Sequence, residues 1–344
     1  MAIKSLAVKY RPTTFADVVE QEAIKIILIQ QLKTNTVKNS YLFCGGAGTG
    51  KTTCARIFAN ELNNHKGNAI EMDAASNNSV DDVRNIIQQA KTKSLESEYK
   101  CFLLDECHSL SNTAWQAMLK LIEEPPAKSI FIFCTTDPER IPKTILSRVQ
   151  RYDFHRISQT GIVDRLHHIL DSEFENKSFQ FHRDSLEYIA KLADGHMRDA
   201  ITMLDKCLSY SDDLSIENVV RALGTSDYDT MMRLSDWLLR SDRKGVIRTI
   251  QTIYDNGADL KQFIKQYLIF VLDVCKYGDC KDFKYLQVPE TKDIKSTFDR
   301  WADTSYHKFM RLLDIVIKLN SDIKWDTSPK STIEATLILV CAWE

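Results

Sequence analysis

The run Tyr41-Leu42-Phe43-Cys44-Gly45-Gly46-Ala47-Gly48-Thr49-Gly50-Lys51-Thr52-Thr53 joins an apolar stretch to a glycine-rich turn, a lysine and two hydroxyls. Its centre reads G-x-x-x-x-G-K-[ST], a pattern suited to phosphate. Gly45, Gly48 and Gly50 allow a tight loop whose backbone N–H groups converge on anionic oxygens. A helix starting at that point adds its positive end. Lys51 can reach β- and γ-phosphates and the Thr52 hydroxyl can hold magnesium, with Thr53 beside it in the first helical turn. Further along, Lys100-Cys101-Phe102-Leu103-Leu104-Asp105-Glu106 is an apolar run ending in two carboxylates. Asp105 suits a magnesium ligand, and Glu106 suits polarisation of an attacking water. Taken alone, such a pair is a solvated loop acid pair; a phosphate loop upstream favours the chemical reading. Thr135-Thr136-Asp137 ends another apolar run and places hydroxyls for a terminal phosphate, although polar strand tips also make turns. Arg148 and Arg198 are isolated arginines that spacing alone does not promote.

These residues need a frame that gathers them. Apolar runs at Ser40–Cys44, Ala69–Asp73, Lys100–Leu104 and Ser129–Thr135 alternate with helical patterns at Thr52–Leu62, Val80–Ser94 and Ser111–Glu124. Strand–helix alternation predicts an α/β P-loop core with a mostly parallel sheet covered on both faces, its ligands at the C-terminal strand ends. After Phe154 the strand runs stop. Helical patterns at Ile162–Phe174, Arg183–Leu192, Arg198–Ser209 and Ile216–Leu223, punctuated by Gly195 and Gly224, predict a small helical lid domain. From about Asp227 the chain reads as all-helical. One apolar stripe there comprises Val246, Ile247, Ile250, Ile253 and Tyr254, closed by Asn256-Gly257. The expected domains are 1–158 (nucleotide-binding core), 159–226 (lid) and 227–344 (helical, oligomerising).

The 344 residues carry a net charge of −2, with 44% hydrophobic and 27% charged residues. Such a chain is globular and is no polycation, so nucleic-acid contact must come from a local patch or backbone donors. No apolar run reaches membrane-spanning length and Met1 to Arg11 carries no signal-peptide pattern, so the expected location is the cytoplasm and no membrane contact is expected. Nine scattered cysteines without a C-x-x-C pair argue for reduced thiols and against zinc.

Taken together, the ordered segments resemble the AAA+ clamp-loader ATPases of the bacterial DNA polymerase III gamma/tau type. The segments are Lys9-Tyr10-Arg11-Pro12 with Thr14-Phe15-Ala16-Asp17-Val18-Val19, the Lys51 loop, Asp73-Ala74-Ala75-Ser76-Asn77-Asn78, Asp105-Glu106-Cys107-His108, Leu121-Ile122-Glu123-Glu124-Pro125-Pro126, Thr135-Thr136-Asp137-Pro138, Ile145-Leu146-Ser147-Arg148 and Gly195-His196-Met197-Arg198-Asp199-Ala200. The resemblance is clear to about residue 226 and looser beyond, where Ser331-Thr332-Ile333-Glu334 looks like a collar helix. It implies ATP and magnesium as ligands, with Tyr10, Arg11, Val18 and Val19 around adenine. It also implies that Thr136 and Arg198 sense the γ-phosphate, and that Arg148 reaches in trans into a neighbouring subunit's site. The implied partners are other clamp-loader subunits in a five-subunit ring, a sliding clamp, and primer–template DNA held without sequence preference. There are departures. No four-cysteine zinc module fits between Asn60 and Ala69, Glu20 stands where the family has glycine, and Val149 replaces a cysteine. The chain ends at the collar, without the long tau tail, and the missing module suggests a phage-encoded or divergent relative.

For DNA, helix N-termini near Asn77, Asn78, Ser79 and Asn112 are candidates, against the alternative that these residues cap helices. Asp105-Glu106-Cys107-His108 also spells a DExH helicase box, which would demand a second strand-rich motor domain. Another AAA+ DNA motor, for branch migration or helicase loading, would share the site chemistry. A non-catalytic scaffold subunit of the same ring would lack Lys51 or the acids, and all are present.

Overall fold

The computed structural model describes residues 5–92, 97–174, 180–223 and 228–342. Its contacts divide the chain into two compact units, Met1–Asp212 and Asp213–Glu344.

The first unit is built on five strands: β1 (Ser40–Cys44), β2 (Ile70–Asp73), β3 (Lys100–Asp105), β4 (Ser129–Thr135) and β5 (Gln150–Asp153). They form one parallel sheet in the order β2-β3-β4-β1-β5. Every residue of β1 and β4 is buried, as expected for central strands covered on both faces. Alternate residues divide between two cores. Leu42, Phe102, Leu104, Phe131 and Phe133 pack with Val83, Ile86, Trp115, Met118 and Ile122. Tyr41, Phe43, Cys101, Leu103, Ile130 and Ile132 pack with Ile24, Leu28, Cys54, Ile57 and Phe58.

The helices of this unit are α1 (Leu6–Lys9), α2 (Glu22–Thr34), α3 (Lys51–Leu62), α4 (Val80–Lys91), α5 (Asn112–Glu123), α6 (Lys143–Leu146), α7 (Gln159–Phe174), α8 (Arg183–Ala193) and α9 (Met197–Tyr210). Four strands and the helices α3, α4, α5, α7, α8 and α9 fall where periodicity places them; the expected extension of α4 to Ser94 lies partly outside the described residues. The short helices α1 and α6, the strand β5 and the helix α2 were not foreseen. β5 is a polar edge strand, Gln-Arg-Tyr-Asp, with one buried side chain in four. In α2 the isoleucines run around the helix: Ile24 is buried while Ile26 and Ile27 are 64% and 42% exposed, which blurs the helical period.

The second unit contains α10 (Ile216–Leu223), α11 (Tyr228–Leu239), α12 (Arg243–Asp255), α13 (Leu260–Cys280), α14 (Lys292–Thr304), α15 (Tyr306–Asp322) and α16 (Pro329–Val340). α10, which the sequence reading gives to the lid, falls in this unit, and Gly224 with the expected 226/227 boundary lies outside the described residues. Phe263, Ile264, Tyr267, Val271, Phe298, Trp301, Phe309, Leu312, Val316 and Leu319 make one aromatic-rich core. Of the expected α12 stripe, Val246, Ile250 and Ile253 are buried but Ile247 and Tyr254 are exposed. Two two-residue strands, Gln180–Phe181 and Asp213–Leu214, interrupt the helical region that begins at α7.

Candidate nucleotide site

The phosphate loop leaves the buried end of β1 and enters α3 directly, with Gly50 at the helix N-cap. Gly45, Gly48 and Gly50 take φ values of +149°, +68° and +102°, a region that L side chains rarely adopt. A Cβ on Gly45 would lie 2.5 Å from the Phe154 carbonyl oxygen, so this glycine serves packing against the chain just after β5 as well as the turn. Lys51 is buried, and its ammonium donates to the carbonyls of Gly45 and Gly46, both at 2.8 Å. Burial holds its pKa below the ordinary lysine value.

Asp105 ends β3, and its carboxylate accepts the hydroxyl of Thr52, in the first turn of α3, at 2.9 Å. That pair offers oxygen donors at the mouth of the loop and fits a hard divalent cation. Glu106 follows at φ +46°, so its side chain leaves the strand in another direction. Its carboxylate accepts the Thr136 hydroxyl at 2.9 Å, and His108 Nδ1 stands 3.4 Å from the same oxygen. His108 Nδ1 also lies 3.0 Å from the Thr135 hydroxyl, so the imidazole is tied to β4.

A cleft of about 260 Å³ opens over the loop. Tyr10, Arg11, Val18, Val19, Gly48, Gly50, Lys51, Thr52, Thr53 and Arg198 line it. Gly45, Asp105, Glu106 and Thr136 are not in the lining; Asp105 reaches the site through its hydrogen bond from Thr52, and Glu106 acts on Lys51 through its charge. Arg148 stands elsewhere, after α6, paired with Glu123 at 2.8 Å and donating to the Thr144 carbonyl. The structure therefore does not bring it to its own chain's cleft.

The other wall comes from α7 and α9. The Met197 N–H donates to the Gly48 carbonyl at 3.2 Å, so α9 begins directly on the phosphate loop. His196 packs there too: a Cβ on Gly48 would lie 3.3 Å from the His196 Cβ. Arg165, which no sequence signal singled out, donates to the Tyr10 carbonyl at 3.0 Å. Asp205 accepts the Leu6 N–H at 3.1 Å, and Glu173 pairs with Lys9 at 2.6 Å. The Leu6–Tyr10 segment is thus held by the helices of the lid. Arg11 has its pKa lowered by burial and then by the neighbouring charges of Arg56 and Arg198. Like charges gathered around a cleft with apolar walls (Val18, Val19, Ile157, Ile201) fit a ligand with an aromatic end and a polyanionic end.

The expected DNA residues occupy one edge. Ser79 caps α4 in a reciprocal pair with Asp82, and Ser111 caps α5, leaving Asn112 as its first residue. The Asn78 carbonyl accepts the Ser111 N–H at 3.2 Å, which sets the two helix N-termini side by side. The Asn77 amide folds back onto the Asp73 carbonyl.

Three family models match, and together they run from residue 68 to residue 344. "DNA polymerase III, delta subunit" covers 68–158, "DNA polymerase III clamp loader subunit, ATPase lid domain" covers 161–213, and "DNA polymerase III subunits gamma and tau domain III" covers 214–344. The chain is a clamp-loader-like AAA+ protein. It is 34% identical to DNA polymerase III subunit tau of Bacillus subtilis over 99% of its own length and 64% of that protein. It is 35% identical to subunit tau/gamma of Haemophilus influenzae over 75% of its length and 40% of that protein. It therefore spans between two fifths and two thirds of these relatives. Among solved structures it is similar to the RuvB Holliday junction branch migration motor of Thermotoga maritima, with a TM-score of 0.53 and 19% identity over 67% of this chain and 79% of that one. This last likeness concerns the fold.

Proposed function

We propose that this chain is an ATP-hydrolysing subunit of a clamp loader, which uses ATP binding and hydrolysis to open a sliding clamp and place it on primer–template DNA. The observation that carries the reading is the convergence of Lys51, Thr52 and Asp105 beneath a cleft whose far wall, α9, presents Arg198. Adenine would lie between Val18, Val19 and Ile157, with its triphosphate on the loop amides. Thr52 and Asp105 would hold magnesium, which when bound neutralises phosphate charge. Glu106 would orient the attacking water, and Thr136, bonded to it, would report the terminal phosphate to the base. Arg198 would tie the lid to the same phosphate, so that ATP sets the angle between core and lid.

The placement of Arg148 outside its own cleft supports a role in trans. A guanidinium supplied by a neighbour typically contributes about 10³–10⁵ in rate, which lets hydrolysis wait for assembly. The partners are then other subunits in a ring, a clamp and DNA, the last held without sequence preference by backbone and helix-terminal donors near Asn77, Asn78, Ser79 and Asn112. On this edge Ser79 closes a reciprocal cap with Asp82, and Asp81 and Asp82 stand in the first turn of α4. A DExH helicase would need a second strand-rich motor, and beyond α7 the described residues form helices apart from two two-residue strands.

The test is to co-purify the chain with clamp and partner subunits and to measure ATP-dependent clamp deposition on primed DNA. Deposition that disappears with Glu106→Gln supports the proposal. Strand displacement without any clamp, or ATP-independent deposition, overturns it.

A further inference from the structure

We propose that Glu20 is a latch that makes the adenine side of the cleft and the lid move as one; this rests on the nucleotide-site reading above. Val18 and Val19 line the cleft, and the chain then passes through two consecutive left-handed residues, Glu20 at φ +55° and Gln21 at φ +59°. Neither is glycine, so this turn is held at a cost that other contacts must offset. The contacts all lead to the hinge between core and lid. The Gln21 amide donates to the His155 carbonyl at 2.7 Å, and its oxygen accepts the His155 N–H at 3.3 Å. The Glu20 carboxylate accepts the Ser158 N–H at 3.2 Å and also its hydroxyl.

Ser158 stands at the start of α7, where its carbonyl accepts the Ile162 N–H and its hydroxyl accepts the Gly161 N–H, both at 3.0 Å. A core residue thus completes the cap of a lid helix. The fit is close: a Cβ on Gly161 would lie 2.7 Å from Glu20 Oε1 and 3.1 Å from the Val19 side chain. On its other side the hinge is bound to the lid by the Arg156–Asp194 pair at 2.6 Å and by the Ile157 N–H on the Gly195 carbonyl. A ligand that presses on Val18-Val19 therefore acts through Glu20 on the first turn of α7, the helix whose Arg165 grips Tyr10. Glu20 is a positioning residue; it touches the lid, not the phosphates.

The experiment follows hydrogen exchange of the full chain with and without ATP, together with ATP affinity, in the wild type and in Glu20→Ala, Glu20→Gly and Glu20→Gln. In the wild type ATP slows exchange at residues 18–21 and at the start of α7 together. In Glu20→Ala and Glu20→Gly the first segment still responds, the second no longer does, and ATP binds about three- to tenfold more weakly, as loss of a helix cap implies. Glu20→Gln keeps an acceptor oxygen and stays within about twofold of wild type. Glycine relieves the positive φ, so Glu20→Gly melts no lower than Glu20→Ala although both are uncoupled. A purely structural role would instead move stability and coupling together. An unchanged ATP response at α7 in Glu20→Ala and Glu20→Gly, or a Glu20→Gln as defective as Glu20→Ala, overturns the latch alone. A wild type that takes up no ATP overturns the nucleotide site itself.

Discussion

Replacement of Lys51 by methionine tests the centre of the site. Lys51 is 6% exposed and its two hydrogen-bond partners, the carbonyls of Gly45 and Gly46, are neutral. The ammonium is buried beside the loop amides, positioned to be shared with phosphate. One charge pair at about 4 Å is worth about 4 kcal/mol at an effective dielectric of about 20. Giving up the two carbonyl bonds for phosphate costs about 1 kcal/mol each. The net, about 2 kcal/mol, corresponds to at least about a thirtyfold loss of ATP affinity in Lys51→Met. Folding should change little, because the variant removes a buried charge while leaving two carbonyls short of a donor. A melting shift within about 3 °C is expected for a unit of this size. Isothermal titration calorimetry with ATP, beside a thermal melt, reads both quantities. Wild-type affinity in a folded Lys51→Met chain would refute the assignment of the loop as a phosphate cradle.

Further outcomes follow from the same geometry. Arg148→Ala should bind ATP as the wild type does and lose DNA-stimulated turnover in the assembled ring. Its half-exposed pair with Glu123 contributes at most about 1 kcal/mol to folding, so a melt should barely move. Glu106→Gln should keep ATP affinity and lower single-turnover hydrolysis by about 10²-fold or more, because the amide still accepts from Thr136 but cannot take a proton. Of the nine cysteines only Cys280 is exposed, so a native chain should take up one thiol-blocking group by mass spectrometry and an unfolded chain nine. Burial raises Cys44 to about 11 and Cys54 and Cys101 to about 12, from an ordinary value of 9.0. Their neutral forms favour the fold fully below pH 9, and that stability falls as pH rises towards 12 because the unfolded chain loses these protons first. Urea midpoints measured across that window should decline; a flat profile would contradict the burial of these thiols.

The phosphate loop, the paired acids at the end of β3 and four of the five strands of the parallel sheet were legible in the amino-acid order, because each depends on local chemistry. A loop that wraps phosphate needs glycine at specified steps, and a buried parallel strand needs an unbroken apolar run. The polar edge strand β5 and the all-round apolar helix α2 were not legible, since their status depends on what lies beside them. Glu20 shows the same limit at the site. From sequence it is a carboxylate where the resemblance leads one to expect glycine; only the fold sets it against Ser158, 138 residues away. Arg165 likewise carried no signal until the chain closed around the cleft, and His108 and His196, quoted only as members of motifs, gained their contacts from the fold.

The order of residues by itself determined which chemistry is available here: a cradle for phosphate, oxygens for a cation, a base and several guanidiniums. Local sterics and hydrogen-bonding capacity dictate those. The tertiary structure decided which of them meet. It brought Arg198 and Arg165 to the cleft and left Arg148 outside it, because distances between remote side chains follow from how sheet, hinge and lid pack, and spacing along the chain carries no record of that.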